Sequence, residues 1–145
     1  MPPVHAHSVT ARLDVAAADA FAFLIDPAAL GRWSLGCMDL RDIGDGIYTG
    51  HSLFDGSQGW LSIAADPVHM LVDYHVGTPS HRQPRISARV IPGPVCGLSD
   101  SVCSVTLTAW RVASMSDERW QRLCASHDTE IWLIKAQAET RARPA

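Results

Sequence analysis

The sequence predicts an α+β domain: a strongly curved antiparallel sheet wrapped around one long C-terminal helix, with two short helices after the first strand. Three observations predict it. Residues 35–111 are short alternating runs separated by hairpin residues. Residues 116–142 carry one apolar stripe at helical spacing. Between the first strand and the sheet run, Asp26-Pro27 divides a helical stretch in two, because the residue before proline avoids the α region. One sheet with a single apolar face needs a cover, and the long helix is the only element large enough.

The elements follow in order. In residues 8–16, Val9, Ala11, Leu13 and Val15 alternate with Thr10, Arg12 and Asp14, the period of a half-buried strand. From Ala17 to Ile25 the period changes. Phe21, Leu24 and Ile25 form a helical stripe, with Asp19 near the positive end. Asp26 then serves as N-cap and Pro27 as first residue of a second helix that buries Leu30 and Trp33. Gly44-Asp45-Gly46, Asp55-Gly56 with Gly59, and Asp66-Pro67 mark turns in the sheet. Met70, Val72, Tyr74 and Val76 share one strand face; Ile86, Ala88 and Val90 share another; so do Cys103, Val105, Leu107 and Ala109. Loops 77–84 and 92–100 hold four of the nine prolines and are expected to be mobile rims. Ser116 caps the last helix, Asp117 and Glu118 fill its first turn, and Met115 staples against Trp120. Its stripe is Trp120, Leu123, Cys124, His127, Ile131, Ile134 and Ala138.

Composition narrows the function. The 145 residues make one domain, 1–145, with 47% apolar and 19% charged residues, which argues against disorder. The formal net charge of −3 gives no support to a nucleic-acid partner. No apolar run spans a membrane, and Met-Pro-Pro-Val-His-Ala-His lacks the basic start and apolar core of a secretory signal. Cys37, Cys96, Cys103 and Cys124 form no Cys-x-x-Cys pair, so reduced thiols and a cytoplasmic location are expected.

The segment Ala18-Asp19-Ala20-Phe21-Ala22-Phe23-Leu24-Ile25-Asp26-Pro27, followed by Leu30 and Trp33, resembles the opening of the START/birch-pollen-allergen-like (SRPBCC) superfamily, in its bacterial polyketide cyclase/dehydratase-like branch. The first strand before it and the helix at 116–142 lie where that superfamily places them, so the resemblance covers nearly the whole chain. It implies a helix-grip fold with a hydrophobic cavity. The superfamily binds lipids, sterols, polyketides, quinones and plant hormones, and some members are cyclases or dehydratases. It has no universal catalytic residues to carry over, and fold alone does not decide function.

The inward faces nominate the pocket lining. Met38 and Leu40 alternate with Asp39 and Arg41; Met70, Val72 and Tyr74 share a strand face; Cys124, His127 and Ile131 share the helix stripe. Strand 47–54 has two mixed faces, Ile47/Thr49/His51/Leu53 and Tyr48/Gly50/Ser52/Phe54. Its register is open, and His51 enters the pocket only if the first face points inward. His127 has two readings: a core histidine satisfied by a neighbour, or a ligand contact able to move a proton near neutral pH. It is the one candidate catalytic residue. Cys124, one turn before, lacks the oxyanion donor and orienting group of a nucleophilic site. Arg85 and Arg89 share a face across Ser87, with Arg82 nearby; such a basic strip has two readings, a site that meets phosphate or a carboxylate and, preferred here, a solvated outer face. Asp73 and His75, with His69 or Asp66 nearby, supply no third ligand by spacing, so no metal is expected, and no cofactor either. Trp132 and Leu133, off the main stripe, together with Trp60, suggest an apolar patch and a homodimer through the back of the last helix.

The expected function is binding of a small hydrophobic or aromatic molecule, a lipid, polyketide or relative, in the cavity between sheet and helix. Two alternatives stand beside it. One is a cyclase- or dehydratase-like lyase in which His127, aided by Tyr74, moves protons. The other is a regulatory or structural partner protein with a filled core.

Overall fold

Along the strand Cys103–Trp110, Cys103, Val105, Leu107 and Ala109 are fully buried, while Ser104, Thr106 and Thr108 are not. That alternation sets the architecture: one face of the sheet is core and the other meets water. The computed structural model describes residues 5–143. In chain order the elements are β1 (Ala6–Leu13), α1 (Ala17–Leu24), α2 (Pro27–Trp33), β2 (Met38–Gly44), β3 (Ile47–His51), β4 (Gln58–Asp66), β5 (Leu71–Gly77), β6 (Arg82–Pro92), β7 (Cys103–Trp110) and α3 (Asp117–Ala142). A short 3-10 turn, Gly93–Cys96, lies between β6 and β7.

The seven strands form one sheet in the order β1-β7-β6-β5-β4-β3-β2, with every pair antiparallel. α1 and α2 carry the chain from one edge strand to the other. On the outer face, Ser8 meets Thr108 at 2.9 Å and Thr10 meets Thr106 at 2.8 Å, so its hydroxyls satisfy one another across strands. Two irregularities bend the far edge. Asp39 takes a left-handed backbone (φ 55°) inside a bulge of β2. At Gly50 a side chain is sterically barred, since a Cβ would stand 2.5 Å from the Met38 carbonyl oxygen.

The caps behave as the sequence predicts. Asp26 Oδ1 accepts from the Ala28 amide at 3.0 Å, and Ser116 Oγ accepts from the Arg119 amide at 3.2 Å. Met115 and Trp120 share a small buried cluster with Ala109. Ser116→Ala is therefore expected to lower stability by about 1 kcal/mol. Urea denaturation reads this directly, and an unchanged midpoint would show that the cap contributes nothing.

The two halves of α3 are held differently. Its C-terminal half lies in the main core through Ile131, Ile134 and Ala138. There it is clamped by polar contacts: Arg141 to Asp26 at 2.7 Å, the Lys135 ammonium to the Arg12 carbonyl at 2.7 Å, and the Asp14 amide to Glu139 at 2.9 Å. Its N-terminal half bridges open space, described below.

Three expectations change in detail. The first strand ends at Leu13 rather than 16. The loop expected over 77–84 shrinks to a turn, because Gly77 pairs with Arg82 and residues 82–84 join β6. Trp132 is 61% exposed, but Leu133 is partly buried against the main core, so the pair forms no shared outer patch. No helix among the described residues is long and apolar enough to cross a membrane.

Candidate functional site

A cavity of about 340 Å³ lies between the concave face of the sheet, the segment after α2 and the N-terminal half of α3. Leu30 and Trp33 of α2, Leu61 of β4, Tyr74 and Val76 of β5 and Ile86 of β6 supply apolar wall. From α3 come Arg119, Arg122, Leu123, Ser126 and Glu130. Their spacing of three or four residues marks a second helical face, offset from the core stripe. The exposed residues Phe54, Ser57, Thr78 and Arg119 form the rim.

Three lining residues carry a buried polar atom with no hydrogen-bond partner among the described residues: Trp33 Nε1, Arg85 Nε and Glu130 Oε1. Burying such atoms unpaired costs free energy, and native structures keep few of them. All three belong to residues that line one cavity.

Arg85 reaches the cavity through a slip in the sheet. Tyr74 pairs with Ile86, yet the next residue, His75, pairs with Pro84. Arg85 is the extra residue of a β-bulge, beside a proline that has no amide to donate. Strict alternation would hide either Arg85 or Ile86 on the outer face. The bulge lets both line the cavity. Burial, and after it the charge of Arg119, pull the Arg85 pKa down. Arg122 sits 5.1 Å from the centroid of the Phe54 ring, at the rim.

Glu130 is 2% exposed. Its Oε2 accepts from the Leu35 amide at 2.9 Å. Burial pushes its pKa up to about 7, and the Leu35 hydrogen bond only partly opposes this. His127 stands one turn before it, 0% exposed, with neither ring nitrogen hydrogen-bonded among the described residues. Burial, then the nearby His7, pull His127 down to about 4. The two side chains approach to 3.8 Å. Distance alone would make them an ion pair, but burial disfavours charge on both, so between about pH 4 and 7 the contact is one of neutral groups. The Tyr74 hydroxyl donates to the Leu24 carbonyl at 2.6 Å, and burial raises its pKa far above the ordinary range. The Cys37 thiol, also lining the cavity, is pushed up to about 11 by burial and stays protonated.

Of the nine residues named from the sequence, Tyr74 lines this cavity. Val72 and Ile131 are core, and Leu40 and Met70 pack partly buried against it. Met38 is partly buried in edge strand β2. Cys124 packs beside the Met115–Trp120 cluster. His127 lies behind Glu130, sealed from the cavity wall. The open register of 47–54 resolves to the other face. Ser52 and Phe54 line the cavity, while the His51 side chain is 49% exposed and 3.7 Å from Asp39. The polar residues at 66–75 are spent locally: His69 meets Asp66 at 2.7 Å, and Asp73 accepts from the Ser87 hydroxyl at 2.6 Å.

Trp33 and Glu130 carry no site expectation from the sequence, and the outer-face placement of Arg85 is corrected: it lines the cavity on the inner face. Trp33 was legible as buried, but not as cavity wall. Glu130 sits four residues before Ile134 and three after His127, on helical spacing with the apolar stripe. A carboxylate inside such a stripe was the available signal. Nothing in the sequence reports the bulge that turns Arg85 inward.

No family model matches the chain, and no curated protein matches it. Solved structures do. The Zhui aromatase/cyclase from Streptomyces sp. R1128 superposes with a TM-score of 0.66 at 15% identity, over 95% of each chain. The di-domain aromatase/cyclase BexL of the BE-7585A biosynthetic pathway gives 0.65 at 17% identity, over 97% of this chain and 48% of that one. A START superfamily protein from Mycobacterium smegmatis gives 0.62 at 11% identity, over 95% of this chain and 97% of that one. At such identities the likeness is one of fold. The chain has the START-like helix-grip fold.

Proposed function

We propose that this START-like domain binds a small aromatic or apolar molecule carrying one anionic group, with its apolar body against Leu30, Trp33, Leu61, Val76 and Ile86 and its anion on Arg85. One observation carries the reading. The polar atoms without chain partners at Trp33, Arg85 and Glu130 belong to residues that line one mostly apolar cavity. Small-molecule sites combine apolar walls with a few placed polar groups in this way. A guanidinium in a half-buried wall favours a carboxylate or sulfonate over a neutral group.

Isothermal titration of naphthalene-2-carboxylate, with naphthalene-2-carboxamide as its uncharged counterpart, tests this. The carboxylate is expected to bind the more tightly at pH 6. Arg85→Leu should weaken it about tenfold or more, the magnitude of a charge-assisted hydrogen bond. No binding of either probe at millimolar concentration, or equal affinity in Arg85→Leu, would overturn the reading. Conversion of a bound molecule would instead favour the lyase alternative. In that case Glu130 at the cavity wall, rather than His127 behind it, is placed to exchange a proton with substrate.

A further inference from the structure

Glu130 stands where a carboxylate is costly, and among the described residues no lysine or arginine nitrogen lies within 4.0 Å of its carboxyl oxygens. From β5 it faces Tyr74, whose hydroxyl is committed to the Leu24 carbonyl. From the segment after α2 come the Leu35 amide and, in the same cavity, the Cys37 thiol. From its own helix comes His127 at 3.8 Å. Behind His127 lies His7 of β1, ring centroids 6.2 Å apart, and His7 in turn lies 3.6 Å from Asp128. Arg85, Arg119 and Arg122 line the same cavity. Among the described residues, His127 is the one basic side chain within 4.0 Å of Glu130.

We propose that Glu130 makes ligand binding proton-linked: the cavity takes an aromatic monoanion while Glu130 is a neutral acid and releases it as Glu130 ionises. This deepens, and rests on, the reading that the cavity holds such a molecule by Arg85. With Glu130 neutral, the ligand's anion meets Arg85 with no second anion in the cavity wall. With Glu130 ionised, two anions share one cavity, and the protein–ligand attraction is offset by their repulsion.

Between pH 6 and 8 three of the groups around Glu130 hold their charge. Cys37, held near 11, and Tyr74, held higher still, remain protonated; His127, held near 4, remains neutral. Glu130, titrating at about 7, is the cavity-lining group that changes. Its neutral fraction falls from about nine-tenths at pH 6 to about one-tenth at pH 8, so the apparent Kd rises about tenfold if only the neutral form binds.

The test is titration of the full chain with naphthalene-2-carboxylate at pH 6 and pH 8, the probe being ionised throughout. Binding about tenfold weaker at pH 8 is expected, with the uncharged carboxamide changing less than about twofold. In Glu130→Gln the carboxylate's ratio of affinities should fall to about 1. A second measurement needs no variant. At pH 7.5, titrations in two buffers of different ionisation enthalpy should show the wild-type chain taking up a fraction of a proton per carboxylate bound. Carboxylate binding that is level across pH 6–8, or without proton uptake, sinks the inference and leaves the binding reading standing. A pH dependence that persists in Glu130→Gln, or that disappears in His7→Gln instead, also sinks it. Absence of binding at every pH sinks both.

Discussion

Trp33→Ala is expected to lower the stability of the domain by about 3–5 kcal/mol, a large fraction of what a domain of this size has. Trp33 is 1% exposed and belongs to the main core. Its ring meets that of Tyr74 edge to face, with centroids 5.9 Å apart. It also closes the cavity beneath α2. Truncation removes the ring's buried surface and merges its volume with the existing cavity. That cavity wall cannot collapse inward while α3 is clamped at its far end by Arg141, Lys135 and Glu139. The unpaired Trp33 Nε1 is lost as well, which offsets a little of the cost. Urea denaturation at fixed pH measures the difference. A loss below about 1 kcal/mol would mean that the ring is not the keystone of the α2–sheet contact.

The second large effect is on how stability varies with pH. Glu130 has a folded-state pKa raised from 4.5 to about 7. The folded chain holds that proton more tightly than the unfolded one. Its contribution is therefore complete below about pH 4.5 and is lost as pH rises through 7. His127 has a folded-state pKa lowered from 6.5 to about 4. Its contribution is complete above about pH 6.5 and is lost as pH falls through 4. Between about pH 4.5 and 6.5 the two slopes are opposite and nearly equal, so in the wild type they cancel. Each variant should expose the other residue. His127→Leu should lose roughly 2 kcal/mol between pH 5 and 7 relative to wild type, and Glu130→Gln should gain roughly 2 kcal/mol over the same interval. Unfolding free energies at pH 5, 6 and 7 for the three proteins decide it. Three parallel curves would show that neither group is held as the buried geometry requires.

Much of the fold was legible because it is written in local period. The alternation at 103–109 marks β7, the stripe from Trp120 to Ala138 marks α3, and Asp26-Pro27 and Ser116 mark helix starts. Each signal depends on neighbours a few residues away. Tyr74 was legible as an inward-facing residue for the same reason.

The rest of the site was not. A pocket cannot be told from a filled core by periodicity, since both want apolar residues on the same face. So Val72 and Ile131 read like Tyr74, yet they lie in the packed part. The 47–54 strand offered two mixed faces, and only its pairing with β2 and β4 put Ser52 inward and His51 outward.

The sequence by itself determined the order and type of the elements, the buried face of most strands and the long helix that covers them. These follow from side-chain spacing and from capping chemistry. The tertiary structure alone decided where the sheet and helix part to leave a cavity. It also decided that a one-residue bulge beside Pro84 turns Arg85 into that cavity, and that Glu130 faces it with His127 sealed behind. The physical reason is common to all three. A cavity, a bulge and the burial of a charge are set by how distant segments meet, and no repeat of two or 3.6 residues carries that information.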